Sequence, residues 1–87
     1  MEVLFLRSFE RDLAKADAAV KRKLILLIAT MEQVEHVTDL AQVKKLKGHK
    51  DAYRLRMGRF RLGFFVEDRT ILLARLLDRK EIYRFFP

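Results

Sequence analysis

From Tyr53 to Val66 the chain alternates large apolar residues with arginines on both sides of Gly58. A period of two is what a strand imposes, because successive side chains point to opposite faces, and a single glycine at the centre predicts a β-hairpin. Tyr53, Leu55 and Met57 then share one face of the first strand, with Arg54 and Arg56 on the other. In the second strand Phe60, Leu62, Phe64 and Val66 face a core, while Arg59, Arg61, Gly63 and Phe65 look outward. The hairpin has a greasy side and a cationic side, and function is to be sought on the cationic one.

The remaining pattern supplies the other elements. Val3 to Arg7 is short and apolar and predicts an opening strand. Ser8 is placed to cap a short helix, with Glu10 and Asp12 in its first turns and Phe9 and Leu13 four apart on its buried stripe, ending near Ala16. Asp17 caps a second helix, in which Val20, Leu24, Leu27, Met31 and Val34 recur at spacings of four and three. The two form a helical hairpin joined at Lys15-Ala16-Asp17, with an apolar stripe to lay on one face of a sheet. His36, past the end of the second helix, reads as a capping or dipole residue. Residues 38–43 have no period and read as a connection. Lys44 to Asp51 reads as a basic loop anchored by Leu46, with Gly48 free to take a positive φ. After a polar turn at Glu67-Asp68-Arg69, the nearly unbroken apolar run Thr70 to Leu77 predicts a central strand covered on both faces. Asp78 to Pro87 is too short for an independently stable helix and is expected along the sheet edge.

Composition narrows the class. A chain of 87 residues, 51% hydrophobic and 36% charged, makes one domain, residues 1–87, that buries only about 60 to 65% of its unfolded surface. It contains no cysteine, which removes disulfides, thiolate catalysis and thiolate-bound zinc, and its only imidazoles are His36 and His49, so no structural metal or cofactor is expected. The opening apolar run is too short for a signal peptide and nothing approaches the roughly 20 apolar residues of a membrane span, so a soluble, cytoplasmic chain is expected. Nineteen Lys and Arg against twelve Asp and Glu give a net charge of +7, which favours a polyanion or an acidic partner. The arginines concentrate from Arg54 onward, and Arg is the residue suited to bidentate phosphate contact.

The order strand, two helices, three antiparallel strands carries Lys45-Leu46-Lys47-Gly48, Tyr53-Arg54-Leu55-Arg56, Gly58, Phe60-Arg61-Leu62 and Arg79-Lys80-Glu81-Ile82-Tyr83 in sequence. Over almost its whole length the chain resembles the RelE/ParE toxin superfamily. The resemblance implies an α+β fold, β-α-α-β-β-β, with an antiparallel sheet and the helical hairpin packed on one face. It also implies the toxin half of a type II toxin-antitoxin pair with a RelB-like antitoxin. For RelE-like members it implies a ribosome-dependent endoribonuclease that cuts mRNA and so inhibits translation, with functional positions at Arg54, Arg56, Arg61, Arg79 and Tyr83. Many nucleases of the family carry Lys where Arg54 and Arg56 stand, and many relatives place His where Asp78 stands. ParE-like members share the fold but inhibit DNA gyrase as protein ligands, so a gyrase inhibitor without nuclease activity is the alternative function.

Metal-free cleavage has the ribose 2′-OH attack the adjacent phosphorus, so a site must offset charge on a phosphorane, remove one proton and deliver another. Convergent arginines meet the first demand, and Tyr83 can stack on a base or orient the nucleophile. A solvated sheet face for the arginines and a packed aromatic for Tyr83 are the plainer alternatives. Lys45, Lys47, His49 and Lys50 in the loop, with Arg59 and Lys80, are candidate RNA contacts. Because a guanidinium is never deprotonated at working pH, a general base would have to be Tyr83, Lys80, Lys47, Glu81 or His49, or else charge and positioning carry the rate.

Overall fold

The computed structural model describes residues 1–87 and places the predicted hairpin inside a five-stranded sheet. In chain order the elements are β1 (Glu2–Phe5), α1 (Arg7–Ala14), α2 (Ala18–Gln33), a 3-10 turn (Val37–Asp39), β2 (Val43–Lys45), β3 (Ala52–Met57), β4 (Phe60–Glu67), β5 (Thr70–Asp78) and α3 (Arg79–Phe85). The strands lie in the order β1-β5-β4-β3-β2. The expected α+β class and element order are present, with β2 and α3 added. The sheet is not antiparallel throughout, because β1 runs parallel to β5. Strands far apart in sequence are free of the tight turn that forces antiparallel pairing, and here two helices and three strands separate them. No helix is long and apolar enough to cross a membrane.

Asp17 caps α2 as expected, its carboxylate accepting from the Val20 N–H at 2.9 Å. Val20, Leu24 and Met31 of that helix, with Phe9 of α1, are buried against Leu55, Leu62, Phe64, Ile71, Leu73 and Leu76 on one face of the sheet. Ser8 does not cap α1. Leu6 holds that position without a side-chain hydrogen bond, and the Ser8 hydroxyl donates instead to the Ala74 carbonyl at 2.6 Å. One turn later the Asp12 carboxylate accepts from the Leu76 N–H at 2.9 Å. Strand β1 reaches only as far as Leu73, so these two side chains satisfy backbone groups of β5 that its missing neighbour would otherwise have bonded. Asp12 also takes a two-pronged ion pair from Arg75, at 2.8 and 3.2 Å. The hydrogen bond to Asp12 holds the Arg75 guanidinium above its ordinary pKa, against the opposing effect of burial.

The run Thr70 to Leu77 lacks strand alternation because, as expected, β5 is an inner strand covered on both faces, with Ile71, Leu73 and Leu76 under the helical hairpin and Ala74 and Leu77 under α3, and a bulge adds to this. Phe64 pairs with Leu73 but Gly63 with Arg75, so Ala74 is an extra residue on β5, and Leu73 and Leu76 face the same core three positions apart.

The second face of the sheet is covered by α3. Ile82 and Phe86 are buried with Ala52 and Ala74, against Leu6, Leu46, Phe65 and Leu77. The C-terminal segment therefore lies on the sheet face, not along its edge, and it is helical because tertiary burial compensates for its shortness. Gly63 and Phe65, expected to look outward, lie beneath it. The Phe86 ring sits so close over Gly63 that a Cβ there would meet ring carbons at 2.6 Å.

Candidate functional site

Six residue pairs hold β3 to β4, from Ala52 opposite Phe65 to Met57 opposite Phe60, and they join through a two-residue turn at Gly58-Arg59. Gly58 has φ +63°, the region hairpin turns require and glycine enters freely. Arg56 stands directly opposite Arg61, and Arg54, two residues from Arg56, shares that face. Arg54, Arg56 and Arg61 therefore lie on the side of the sheet opposite the helical hairpin.

Helix α3 supplies the other wall. Its first turn is capped by Asp78, whose carboxylate accepts from the Lys80 N–H at 3.0 Å, and it is pinned by Ile82 and Phe86. Helical geometry then projects Tyr83 beside this anchor, 64% exposed, with the Arg54 guanidinium 4.4 Å from its ring centroid. One face of the Tyr83 ring is thus engaged in a cation-π contact, and its hydroxyl has no hydrogen-bond partner.

Two adjoining grooves result. One, of about 290 Å³, is lined by Gln42, Val43, Lys44, Arg54, Arg56, Arg61 and Tyr83. The next, of about 410 Å³, is lined by Arg56, Gly58, Arg59, Arg61, Asp78, Arg79 and Lys80. Arg56 and Arg61 belong to both. Arg61 is anchored through one terminal nitrogen, which donates to the Gly58 and Phe60 carbonyls at 2.9 Å each, leaving its other donors free. The only ion pairs in the chain are Arg75 with Asp12 and a 3.8 Å contact of Arg59 with Asp78. Arg54, Arg56, Arg61, Arg79, Lys80 and Lys44 consequently have no carboxylate at ion-pair distance, and the grooves present an excess of positive charge, with Asp78 the one carboxylate among their lining residues.

All five residues expected at the reacting centre, Arg54, Arg56, Arg61, Arg79 and Tyr83, line these two grooves, as do Arg59 and Lys80. Lys45, Lys47, His49 and Lys50 line neither. Lys45 pairs with Tyr53, whose ring stacks on Phe64 at 5.6 Å, and so belongs to the helix-covered face. The residue on the cationic face is Lys44, opposite Arg54. Sequence reading missed it because residues 43–45 form a strand of three residues, too short to show alternation. Gln42, at φ +66°, is the other unanticipated lining residue. His36 precedes the 3-10 turn and makes no side-chain cap.

Arg54, Arg56 and Arg61, clustered in a groove with no carboxylate and beside an exposed aromatic ring, suit a phosphate of a single-stranded nucleic acid. No family model matches the chain. Toxin RelE3 of Methanocaldococcus jannaschii is 36% identical to it over an alignment of 88 positions that covers 100% of this chain and 100% of the relative. The chain belongs to the RelE toxin family. A putative toxin RelE1 of the same organism is 29% identical over 76 residues, covering 85% of this chain and 84% of the relative. Among solved structures, the chain is similar to one in the RelB-RelE antitoxin-toxin complex from Methanococcus jannaschii, with TM-score 0.83, 32% identity and coverage of 97% of this chain and 99% of that one. The archaeal RelE-RelB complex from Pyrococcus horikoshii OT3 aligns with TM-score 0.75 over 90% of this chain and 93% of the other, and at 24% identity it supports the fold. The RelE fold thus places this chain's own arginine-lined grooves between the hairpin and a C-terminal helix.

Proposed function

We propose that this RelE toxin is a ribosome-dependent endoribonuclease that cuts mRNA by attack of the ribose 2′-OH on the adjacent phosphorus. The observation that carries the reading is the meeting of Arg54, Arg56, Arg61 and Tyr83 in one groove that contains no carboxylate. Arg56 and Arg61, shared by both grooves, are placed to bind the scissile phosphate and to offset the charge that grows on its oxygens. Arg79 and Lys80 extend that field over the departing oxygen. Tyr83, with one ring face against Arg54, offers the other as a stacking platform for a base. A metal-dependent nuclease would need carboxylates here, and this groove offers guanidinium and ammonium groups instead.

The same surface explains the need for an inhibitor. Two similar toxins were solved in complex with RelB, and this chain exposes Leu4, Phe5, Ile25 and Leu26 in addition to its cationic grooves. A RelB-like antitoxin with acidic residues and apolar helix contacts matches both features, burying about 2,000 Å² or more as permanent complexes do. Co-purified antitoxin raises the melting temperature of the chain by mass action.

Induction in a growing cell tests the function. The reading expects translation arrest with fragmented mRNA, relieved by antitoxin co-expression. Intact message beside trapped gyrase-DNA complexes would move the chain to the ParE-like activity.

A further inference from the structure

We infer that Lys44, on the outer strand β2, binds the phosphate one nucleotide away from the bond that is cut, so that β2 supplies a second phosphate subsite. The inference rests on the ribonuclease reading and adds to it a residue and a row of the sheet.

The register of the sheet sets two parallel rows of cations on the face that carries the grooves. Arg56 opposite Arg61 forms the first row, and Lys44 opposite Arg54 forms the second. The rows are two residues apart along β3, about 6.8 Å for an extended strand, close to the separation of successive phosphates in a stretched single strand. The first row is where the two grooves overlap and faces Arg79 and Lys80, which makes it the place for the scissile phosphate. In the second row the Arg54 guanidinium lies against the Tyr83 ring at 4.4 Å, and Lys44 is exposed with no carboxylate at ion-pair distance. Lys44 is therefore the unengaged charge of that row.

Its chemistry favours phosphate over a base edge. A lysine ammonium is a compact charge with three donors and no acceptor on a flexible stem, suited to an oxyanion approached from several directions. The backbone around it is built to hold this geometry. The Arg56 N–H donates to the Gln42 carbonyl at 3.0 Å, extending the pairing one residue beyond β2, and Gln42 adopts φ +66°, a region that disfavours L side chains. That turn leads into the edge strand that pairs with β3, and Gln42, Val43 and Lys44 line the same groove as Tyr83.

A charge-neutralising cycle on programmed ribosomes tests the subsite. Messages carrying a neutral methylphosphonate in place of the phosphate on the 5′ side or the 3′ side of the cleaved linkage are compared with unmodified message. For the wild-type chain, one of the two substitutions lowers kcat/KM by roughly three- to tenfold, the loss expected for one exposed ammonium-phosphate contact. Lys44→Ala loses a similar amount on unmodified message, mainly through KM, and is indifferent to that methylphosphonate; Lys44→Arg keeps near wild-type activity. Unaltered kcat/KM in Lys44→Ala, or a loss that adds in full to both methylphosphonate effects, overturns the subsite while leaving the nuclease reading intact. A wild-type chain that cuts no programmed ribosome removes the nuclease reading and the subsite together.

Discussion

Gly63→Ala is the most demanding test of how the site is assembled. Gly63 sits in the middle of β4, buried, and the Phe86 ring of the C-terminal segment lies directly on it. A Cβ at this position would stand 2.6 Å from two ring atoms and 2.9 Å from a third, well inside contact distance. The ring has little room to yield, because it is only 6% exposed and packs against Phe65 at 5.2 Å. Overpacking of this kind costs about 1–3 kcal/mol, and expelling the ring altogether forfeits about 2–3 kcal/mol of burial. Both routes converge on about 2–3 kcal/mol, which for a domain of this size lowers the melting temperature by roughly 10–20 °C. The consequence for activity is separable from stability. Arg79 and Tyr83 are carried by α3, so a ring pushed off Gly63 shifts both away from the hairpin arginines, and cleavage falls even where the chain remains folded. Urea and thermal denaturation give the first quantity and primer extension well below the melting temperature gives the second. Phe86→Leu combined with Gly63→Ala should cost less than the sum of the single changes by about 1 kcal/mol or more, since the smaller side chain makes room for the methyl. Strict additivity, or a Gly63→Ala chain as stable and as active as the parent, would refute the account of how α3 is seated.

Asp12→Ala leaves the Leu76 N–H without an acceptor and a partly buried Arg75 without a counter-charge, and is expected to cost about 3 kcal/mol in urea denaturation, with Asp12→Asn costing clearly less. At Tyr83 the ring is engaged by Arg54 and the hydroxyl by nothing, so Tyr83→Phe should retain activity within about fivefold while Tyr83→Ala loses about tenfold or more through lost stacking. A hundredfold loss in Tyr83→Phe would instead assign proton transfer to the hydroxyl.

The hairpin is readable from sequence because apolar residues and arginines alternate from Tyr53 to Leu62, whereas the covering of Gly63 and Phe65 by α3 is not, since it depends on a segment more than 15 residues further along the chain. The α2 cap at Asp17 was readable because a carboxylate followed by a period of three and four has few other uses. Ser8 and Asp12 have the pattern of helix-start residues, yet their side chains serve β5, a strand more than 60 positions away that local pattern cannot reveal. The unbroken apolar run of β5 reveals an inner strand covered on both faces, but not the bulge at Ala74, which depends on its pairing with β4. The C-terminal helix was missed because its stability comes from Ile82 and Phe86 resting on Ala52, Ala74 and Gly63, a surface formed only after the sheet assembles. The candidate site follows the same division. Strand period brings Arg54, Arg56 and Arg61 together, whereas Lys44 and Lys45 fall in a segment that reads as a basic loop, and a strand of three residues is too short to reveal that Lys44 lies on the cationic face and Lys45 on the other.

The central claim is that the Arg56-Arg61 row cuts message by stabilising charge at phosphorus, and primer extension on translating ribosomes, with the new 3′ ends analysed chemically, tests it most directly. Arg61 stands half-buried at the start of β4, on the face opposite the helical hairpin, its guanidinium held by the Gly58 and Phe60 carbonyls and outside the apolar core, so Arg61→Ala should keep the parent's melting temperature within a few degrees. Removing one preorganised donor to a developing oxyanion typically costs on the order of a hundredfold. The account predicts discrete cuts ending in a 2′,3′-cyclic phosphate or 3′-phosphate for the parent chain, and about a hundredfold fewer for Arg61→Ala. Uncut message, 3′-hydroxyl ends, or an Arg61→Ala chain as fast as the parent would contradict it.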